Sequence, residues 1–159
     1  MSLEAVVRRL ELEALYTDYV HCLDADELER WPDFFTEDCF YRITSAENYE
    51  AGMPLGMFHA TSRNMLKDRV SALREANIYE PQRYRHLVSS IKIVEDREDT
   101  LDLTANFLVV RTMQEGDMTI FAAGRYLDQI RRQGEPWRFA RKTVVLDSRQ
   151  IDTLLAIPI

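Results

Sequence analysis

The chain has 159 residues, 46% of them hydrophobic, which is enough apolar surface for one packed core and too little for two ordinary domains. Charged residues make up 30% and the formal net charge is −7, a balance that repels the nucleic-acid backbone. No run of roughly 18 apolar residues spans a bilayer, no apolar stretch after a basic start marks a secretion signal, and Cys22 and Cys39 are the only cysteines. A cytoplasmic chain with reduced thiols, without a disulfide or a zinc site, is expected.

From Ser2 to Leu23, Leu3, Val6, Val7, Leu10, Ala14, Tyr16 (or Leu15), Tyr19, Val20 and Leu23 recur at three- and four-residue steps. This periodicity predicts a long amphipathic helix. Asp24 or Asp26 caps a short second helix that is expected to stop near Pro32, because a proline disfavours helical geometry in the residue before it. Cys39–Thr44, rich in aromatic and β-branched residues, reads as a strand, and a loop follows through Asn48, Gly52, Pro54 and Gly56. Thr61 or Ser62 can cap a further helix whose buried stripe is Met65, Leu66, Val70 and Leu73, ending near Glu75–Asn77.

From His86 onward the period changes to two. Strands are predicted from His86 to Val94, Leu101 to Met113, Thr119 to Arg131 and Trp137 to Leu146. Gly116 supplies the positive backbone angle for the turn after the second of these, and Gln133–Pro136 makes the next turn. Helices precede antiparallel strands, so the class is α+β. A curved antiparallel sheet wrapped around the long N-terminal helix buries both apolar patterns, giving one cone-shaped domain over residues 1–159 with an apolar tail at 154–159.

The search for chemistry returns no assigned catalytic, cofactor or metal residue. A Rieske cluster needs two Cys and two His in paired short motifs, and Cys39 has no histidine near it in sequence. A mononuclear iron site needs two His and a carboxylate on one face, yet no spacing forces any two of His21, His59 and His86 together. Cone folds also house enzymes that need no cofactor, in which a tyrosine, an aspartate and a histidine inside the cavity move a proton. Tyr16, Asp18, Tyr19, Asp38, Tyr41, His59 and His86 are the candidates for such a set. Neither a phosphate loop nor a Gly-x-Ser-x-Gly elbow occurs.

Several stretches carry a family resemblance along nearly the whole chain: Leu15–Tyr19, Trp31–Phe35, Asn48–Leu55, Met65–Val70, Arg85–His86, Asn106–Thr112 and Gly124–Asp128. In these the chain resembles the small (β) subunits of aromatic-ring-hydroxylating oxygenases, most closely those acting on salicylate, anthranilate and halobenzoates. The resemblance implies a cystatin-like cone similar to nuclear transport factor 2, and a hexamer of three α and three β subunits. It also implies that the α subunit holds the Rieske [2Fe-2S] cluster and the mononuclear non-haem iron, receives electrons from a ferredoxin or reductase, and binds the aromatic substrate, the β subunit being architectural.

Two partner surfaces follow from residue type. Ile78–Arg85 combines Tyr79, Arg83, Tyr84 and Arg85, residue types that interfaces favour. The tail offers Leu154, Leu155, Ile157 and Ile159, whose exposure would forgo burial at about 25 cal/mol per Å². Arg111, Arg125 and Arg141 are expected on one face of the sheet, paired with Asp102, Asp128 or Asp147. Two other readings stay open: a free-standing isomerase, dehydratase or cyclase using the Tyr/Asp/His cavity, and a binding module that merely shares the fold.

Overall fold

The computed structural model describes residues 1–54, 56–76, 81–134, 136–148 and 157–159. Helix α1 (Leu3–Asp24) begins where the Ser2 hydroxyl accepts the amide N–H of Ala5 at 3.2 Å, satisfying a donor the first turn leaves free. Its buried residues are Leu12, Leu15, Tyr16, Tyr19, Cys22 and Leu23. The stripe read from the first turn onward therefore meets the core only from Leu12, and Leu3, Val6, Val7 and Leu10 stay exposed.

Between α1 and the sheet, residues 25–30 form turns instead of the expected second helix. A 3-10 helix (Trp31–Phe34) follows, with Pro32 in its first turn, where the missing N–H of proline has no intrahelical partner to lose. Pro32 thus opens a helical turn and does not close one. Trp31 and Phe35 are fully buried and meet edge to face at 5.5 Å, and Trp31 stands edge-on to Tyr41 at 5.3 Å. The Trp31 indole donates to the Tyr19 hydroxyl at 3.1 Å, which ties the turn to α1.

Six strands form one sheet: β1 (Phe35–Ser45), β2 (Phe58–Ala60), β3 (Gln82–Asp96), β4 (Thr100–Met113), β5 (Met118–Arg131) and β6 (Arg138–Leu146), in the order β2-β1-β6-β5-β4-β3. The pairing of β1 with β6 is parallel and the other four are antiparallel, so the sheet is mixed and not wholly antiparallel as expected. Hairpins dictate antiparallel neighbours, and no hairpin joins β1 to β6. Register shifts at Ser89/Lys92, Val109/Val110 and Gln129/Ile130 bend the long strands around α1.

Two short elements appear where a loop is predicted. Helix α2 (Ala46–Glu50) starts because the Ser45 hydroxyl accepts the N–H of Asn48, and β2 pairs with β1. Helix α3 (Arg63–Ala76) is capped by Ser62, whose hydroxyl accepts the N–H of Met65, and buries Leu66 and Val70. Strand β3 begins at Gln82, so Gln82–Arg85 is strand and not part of a loop. In the β4–β5 turn Gly116 has φ +99°, the conformation its lack of a side chain permits.

The inner face of the sheet carries Tyr84 and His86 from β3, Leu103, Ala105, Phe107 and Val109 from β4, Tyr126 and Asp128 from β5, and Lys142 and Val144 from β6. On the outer face α2 covers β1 and β6, with Tyr49 beneath the guanidinium groups of Arg42 and Arg125. Among the described residues no helix is long and apolar enough to cross a membrane.

Candidate functional site

An ion pair of Lys142 and Asp128 lies in the interior of the cone. Residues two apart on a strand share a face, so Tyr126 and Asp128 of β5 point inward together, and Lys142 of β6 stands opposite Asp128 in register. The Lys142 ammonium donates to Asp128 Oδ2 at 2.9 Å, and the Tyr16 hydroxyl of α1 donates to the same oxygen at 2.5 Å. Around the ammonium stand the rings of Tyr126 at 3.6 Å, Phe139 at 4.3 Å and Tyr19 at 4.7 Å, an aromatic box that holds a cation by its quadrupoles.

Burial dominates the titration of this cluster. It raises the Asp128 carboxyl above its ordinary range, against the pull of Lys142, and lowers the Lys142 ammonium, against the pull of Asp128. Burial first, and then the Asp128 charge, push the Tyr16 hydroxyl well above its usual value. Both side chains of the ion pair are fully inaccessible to solvent. The cluster has the groups for acid–base chemistry, but its two charged side chains are sealed from solvent and bound to each other, so it acts as a polar clasp between α1, β5 and β6.

A second clasp joins Asp24 at the end of α1 to His86 on β3, with Asp24 Oδ1 2.6 Å from His86 Nδ1. The other candidates for a cofactor-free site are not gathered. Tyr41 lies in the core, where its hydroxyl donates to the carbonyl of Ile159 at 2.7 Å. Asp18, His21, Asp38 and His59 are exposed. Asp38 is held below its ordinary pKa by Thr36 and, more weakly, Arg131. Lys142 and the role of Asp24 are missing from the residues picked by sequence, although Lys142 lies in phase with the apolar Val144 and Leu146.

The donors for a metal do not converge. Among the described residues no group of three or more His, Cys, Asp or Glu is placed to hold an ion. Cys22 and Cys39 are both free and buried. The arginines expected on one face are divided, Arg111 pointing inward over Phe121 while Arg125 and Arg141 point outward, and Asp128 takes Lys142 in place of an arginine.

The partner-surface residues also fall into two groups. Tyr79 and Leu155 lie outside the described residues. Arg83 and Arg85 are exposed on the outer face of β3, whereas Tyr84 between them is turned inward by the period of the strand and stacks on Phe121 at 5.1 Å. Ile157 and Ile159 are buried in this chain's own core, so at these positions the chain covers its own tail and leaves no apolar surface for a partner.

Residues 19–153 match the family model described as ring hydroxylating beta subunit. The chain is 44% identical to the anthranilate 1,2-dioxygenase small subunit of Burkholderia cepacia over 94% of its own length and 92% of that protein. It is 38% identical to subunit beta 1 of the terminal oxygenase component of terephthalate 1,2-dioxygenase from a Comamonas species, over 97% and 100% of the two chains. Its fold superposes, with a TM-score of 0.89, on the crystal structure of a Novosphingobium aromaticivorans chain assigned as the beta subunit of an aromatic-ring-hydroxylating dioxygenase. That chain is 35% identical, with 98% and 99% of the two chains covered. A protein of the nuclear transport factor 2 type with a cystatin-like fold, from the same organism, superposes with a TM-score of 0.69 at 17% identity over 93% and 87%, which places the architecture. With a family model over most of its length and relatives above a third identical end to end, the chain belongs to the ring-hydroxylating beta subunit family, the small subunits of aromatic-ring oxygenases.

Proposed function

We propose that this chain is the architectural, non-catalytic subunit of a cytoplasmic oxygenase that hydroxylates benzoate-like aromatic acids with dioxygen, the chemistry being carried by a larger α subunit. The observation that carries this reading is the fully buried ion pair of the interior. The cone's acid–base groups, Tyr16, Asp128 and Lys142, are spent on one another in a solvent-free core. Relatives named for anthranilate and terephthalate support an aromatic carboxylate as substrate. The Rieske [2Fe-2S] cluster and mononuclear iron belong to the α subunit on this reading, as does contact with a ferredoxin or reductase. Residues 1–159 act as one domain, and three such chains associate with three α subunits.

Co-expression with its own large oxygenase subunit, followed by size exclusion with light scattering and an iron determination on each species, tests the proposal. A three-plus-three assembly with all iron on the large chain is the expected result. A monomer or dimer that ignores that partner would sink it. The free-standing isomerase or dehydratase needs Tyr16, Asp38 and His59 in one cavity, and their positions, one in the core and two at the surface, give it no support.

A further inference from the structure

Helix α1 and strand β3 lie side by side in opposite directions, fastened to each other at two points. Arg8 donates to Asp96 at 3.0 Å near one end, and Asp24 Oδ1 lies 2.6 Å from His86 Nδ1 near the other. Between these fastenings the two elements stand apart around a cavity of about 710 Å³, within the roughly 300–1,000 Å³ of small-molecule sites. Its floor is apolar, with Leu12, Tyr16 and Val20 from α1 and Val88, Ile91 and Ile93 from β3.

Two features of β3 shape this space. The ladder to β4 shifts between Ser89 and Lys92, and Ser90 has φ +57°, a backbone conformation that is costly for a residue with a side chain. The shift moves the inward phase from His86 and Val88, opposite Val109 and Phe107, to Ile93, opposite Leu103, so apolar side chains are presented on both sides of the bulge. Strained backbone of this kind clusters at ligand sites, and Ser90 lies in the cavity wall.

The rim sets the charge of the occupant. Arg9 of α1 and Lys92 of β3 line the half nearer the Arg8–Asp96 fastening, His21 lines the other end, and Thr17, Ser89 and Ser90 add hydroxyls. Among the described residues that line it the one carboxylate is Glu13, which accepts from Arg9 Nε at 3.2 Å in an exposed pair one turn along the helix. Such pairs are weak, and the other guanidinium donors of Arg9 can serve a second carboxylate. Two cations against one anion make a basic rim in a chain of net charge −7. A cationic ligand gains nothing there, and a plain hydrocarbon leaves the rim charges unused.

We propose that the α1–β3 cavity binds a small hydrophobic monocarboxylic acid, its hydrocarbon on Leu12, Tyr16, Val88 and Ile91 and its carboxylate on Arg9 and Lys92. This is a binding function of the chain itself, separate from its architectural role and independent of any partner.

The test titrates the full-length chain by calorimetry with 2-naphthoate and with decanoate, acids that share this chemistry and differ in the hydrocarbon, and with 2-naphthamide as an uncharged counterpart. Saturable one-to-one binding of at least one acid below about 1 mM is expected, the tighter of the two naming the aromatic or aliphatic class, and the amide is expected to bind at least about tenfold more weakly than its acid. Arg9→Glu/Lys92→Glu reverses both rim cations at exposed positions, and Thr17→Trp sets an indole in the cavity mouth. Each is expected to weaken the acid about tenfold or more, while Lys67→Glu, exposed on α3, leaves it unchanged. Thermal melts matching the wild type show that the variants are folded. No saturable binding of either acid up to about 5 mM overturns the proposal, as does an acid that binds both cavity variants within about twofold of wild type, or an amide that binds as tightly as its acid. An equal loss in Lys67→Glu would mean unspecific attraction to surface charge and would overturn it too.

Discussion

Asp24 grips His86 with both carboxylate oxygens: Oδ1 lies 2.6 Å from the imidazole Nδ1, and Oδ2 accepts the His86 backbone N–H at 3.0 Å. Strand β3 is the edge of the sheet, so this N–H faces the end of α1 and not a neighbouring strand. One carboxylate therefore finishes the helix, shields a strand edge and fixes a buried imidazole. Asp24→Ala leaves two buried groups without a partner, at about 1–3 kcal/mol each. A melting temperature lower by several degrees is expected in circular dichroism, with Asp24→Asn, which keeps an acceptor, falling in between. An alanine variant melting with the wild type would remove this role.

Lys142→Met should be among the most damaging single changes in the interior. It strands the Asp128 carboxylate in a solvent-free box, and removing one member of such a pair costs about 3–5 kcal/mol. The sign of the pH response is distinctive. Burial already raises Asp128 above its ordinary value of 3.8, and without Lys142 only the Tyr16 hydroxyl opposes that rise. A carboxyl raised in the folded state adds stability that is complete below its unfolded pKa and lost as pH climbs through the folded one. The variant should therefore be more stable at pH 5 than at pH 8 by urea unfolding, and Lys142→Met/Asp128→Leu should recover much of the loss and flatten the pH response. Equal stability of the single variant at both pH values would show that the carboxylate finds another partner.

Where strand period decided position, sequence was a good guide. Gly124–Arg125–Tyr126–Leu127–Asp128, one of the stretches that carries the family resemblance, is a strand with alternating duties: Tyr126 stacks inward on Phe107 at 4.5 Å and Asp128 takes Lys142, while Arg125 lies outward over Tyr49. The same alternation turns Tyr84 inward between two exposed arginines. What sequence did not reveal depends on elements far apart along the chain. The parallel pairing of β1 with β6 has no local signal, and the Asp24–His86 clasp joins residues 62 apart.

Gly124 opens that same stretch for a steric reason. A Cβ at this position would lie 2.0 Å from the carbonyl oxygen of Val145 on β6, a backbone atom that cannot swing aside. Gly124→Ala must push β5 from β6 on the same strand pair that carries the ion pair, an overpacking expected to cost about 3 kcal/mol or more. Loss of soluble protein or a sharply lowered melting temperature is the expected readout. A melt unchanged from wild type would mean that the two strands separate freely.

Both thiols should be inert in the native chain. Burial pushes Cys22 and Cys39 up to about 11, so at pH 8 roughly one thiol in a thousand is the reactive thiolate, and both side chains are covered. A chromogenic disulfide reagent should label neither cysteine in the folded protein and both in guanidinium. Rapid native labelling of either would reveal local opening around α1 or β1.

The last three residues should stabilise this chain on its own, before any partner is present. Ile157 and Ile159 lie in the hydrophobic core, and the Ile159 carbonyl accepts the hydroxyls of Tyr41 at 2.7 Å and Tyr19 at 3.4 Å. Removing residues 157–159 uncovers two isoleucine side chains' worth of apolar surface, about 1.5–3 kcal/mol for each, and takes the acceptor from two buried tyrosines. Urea unfolding of the isolated truncated chain should shift to a clearly lower midpoint. If the tail served only a partner, the isolated chain would unfold as before and only the assembly would weaken, so comparing the two midpoints, alone and in complex, separates the roles.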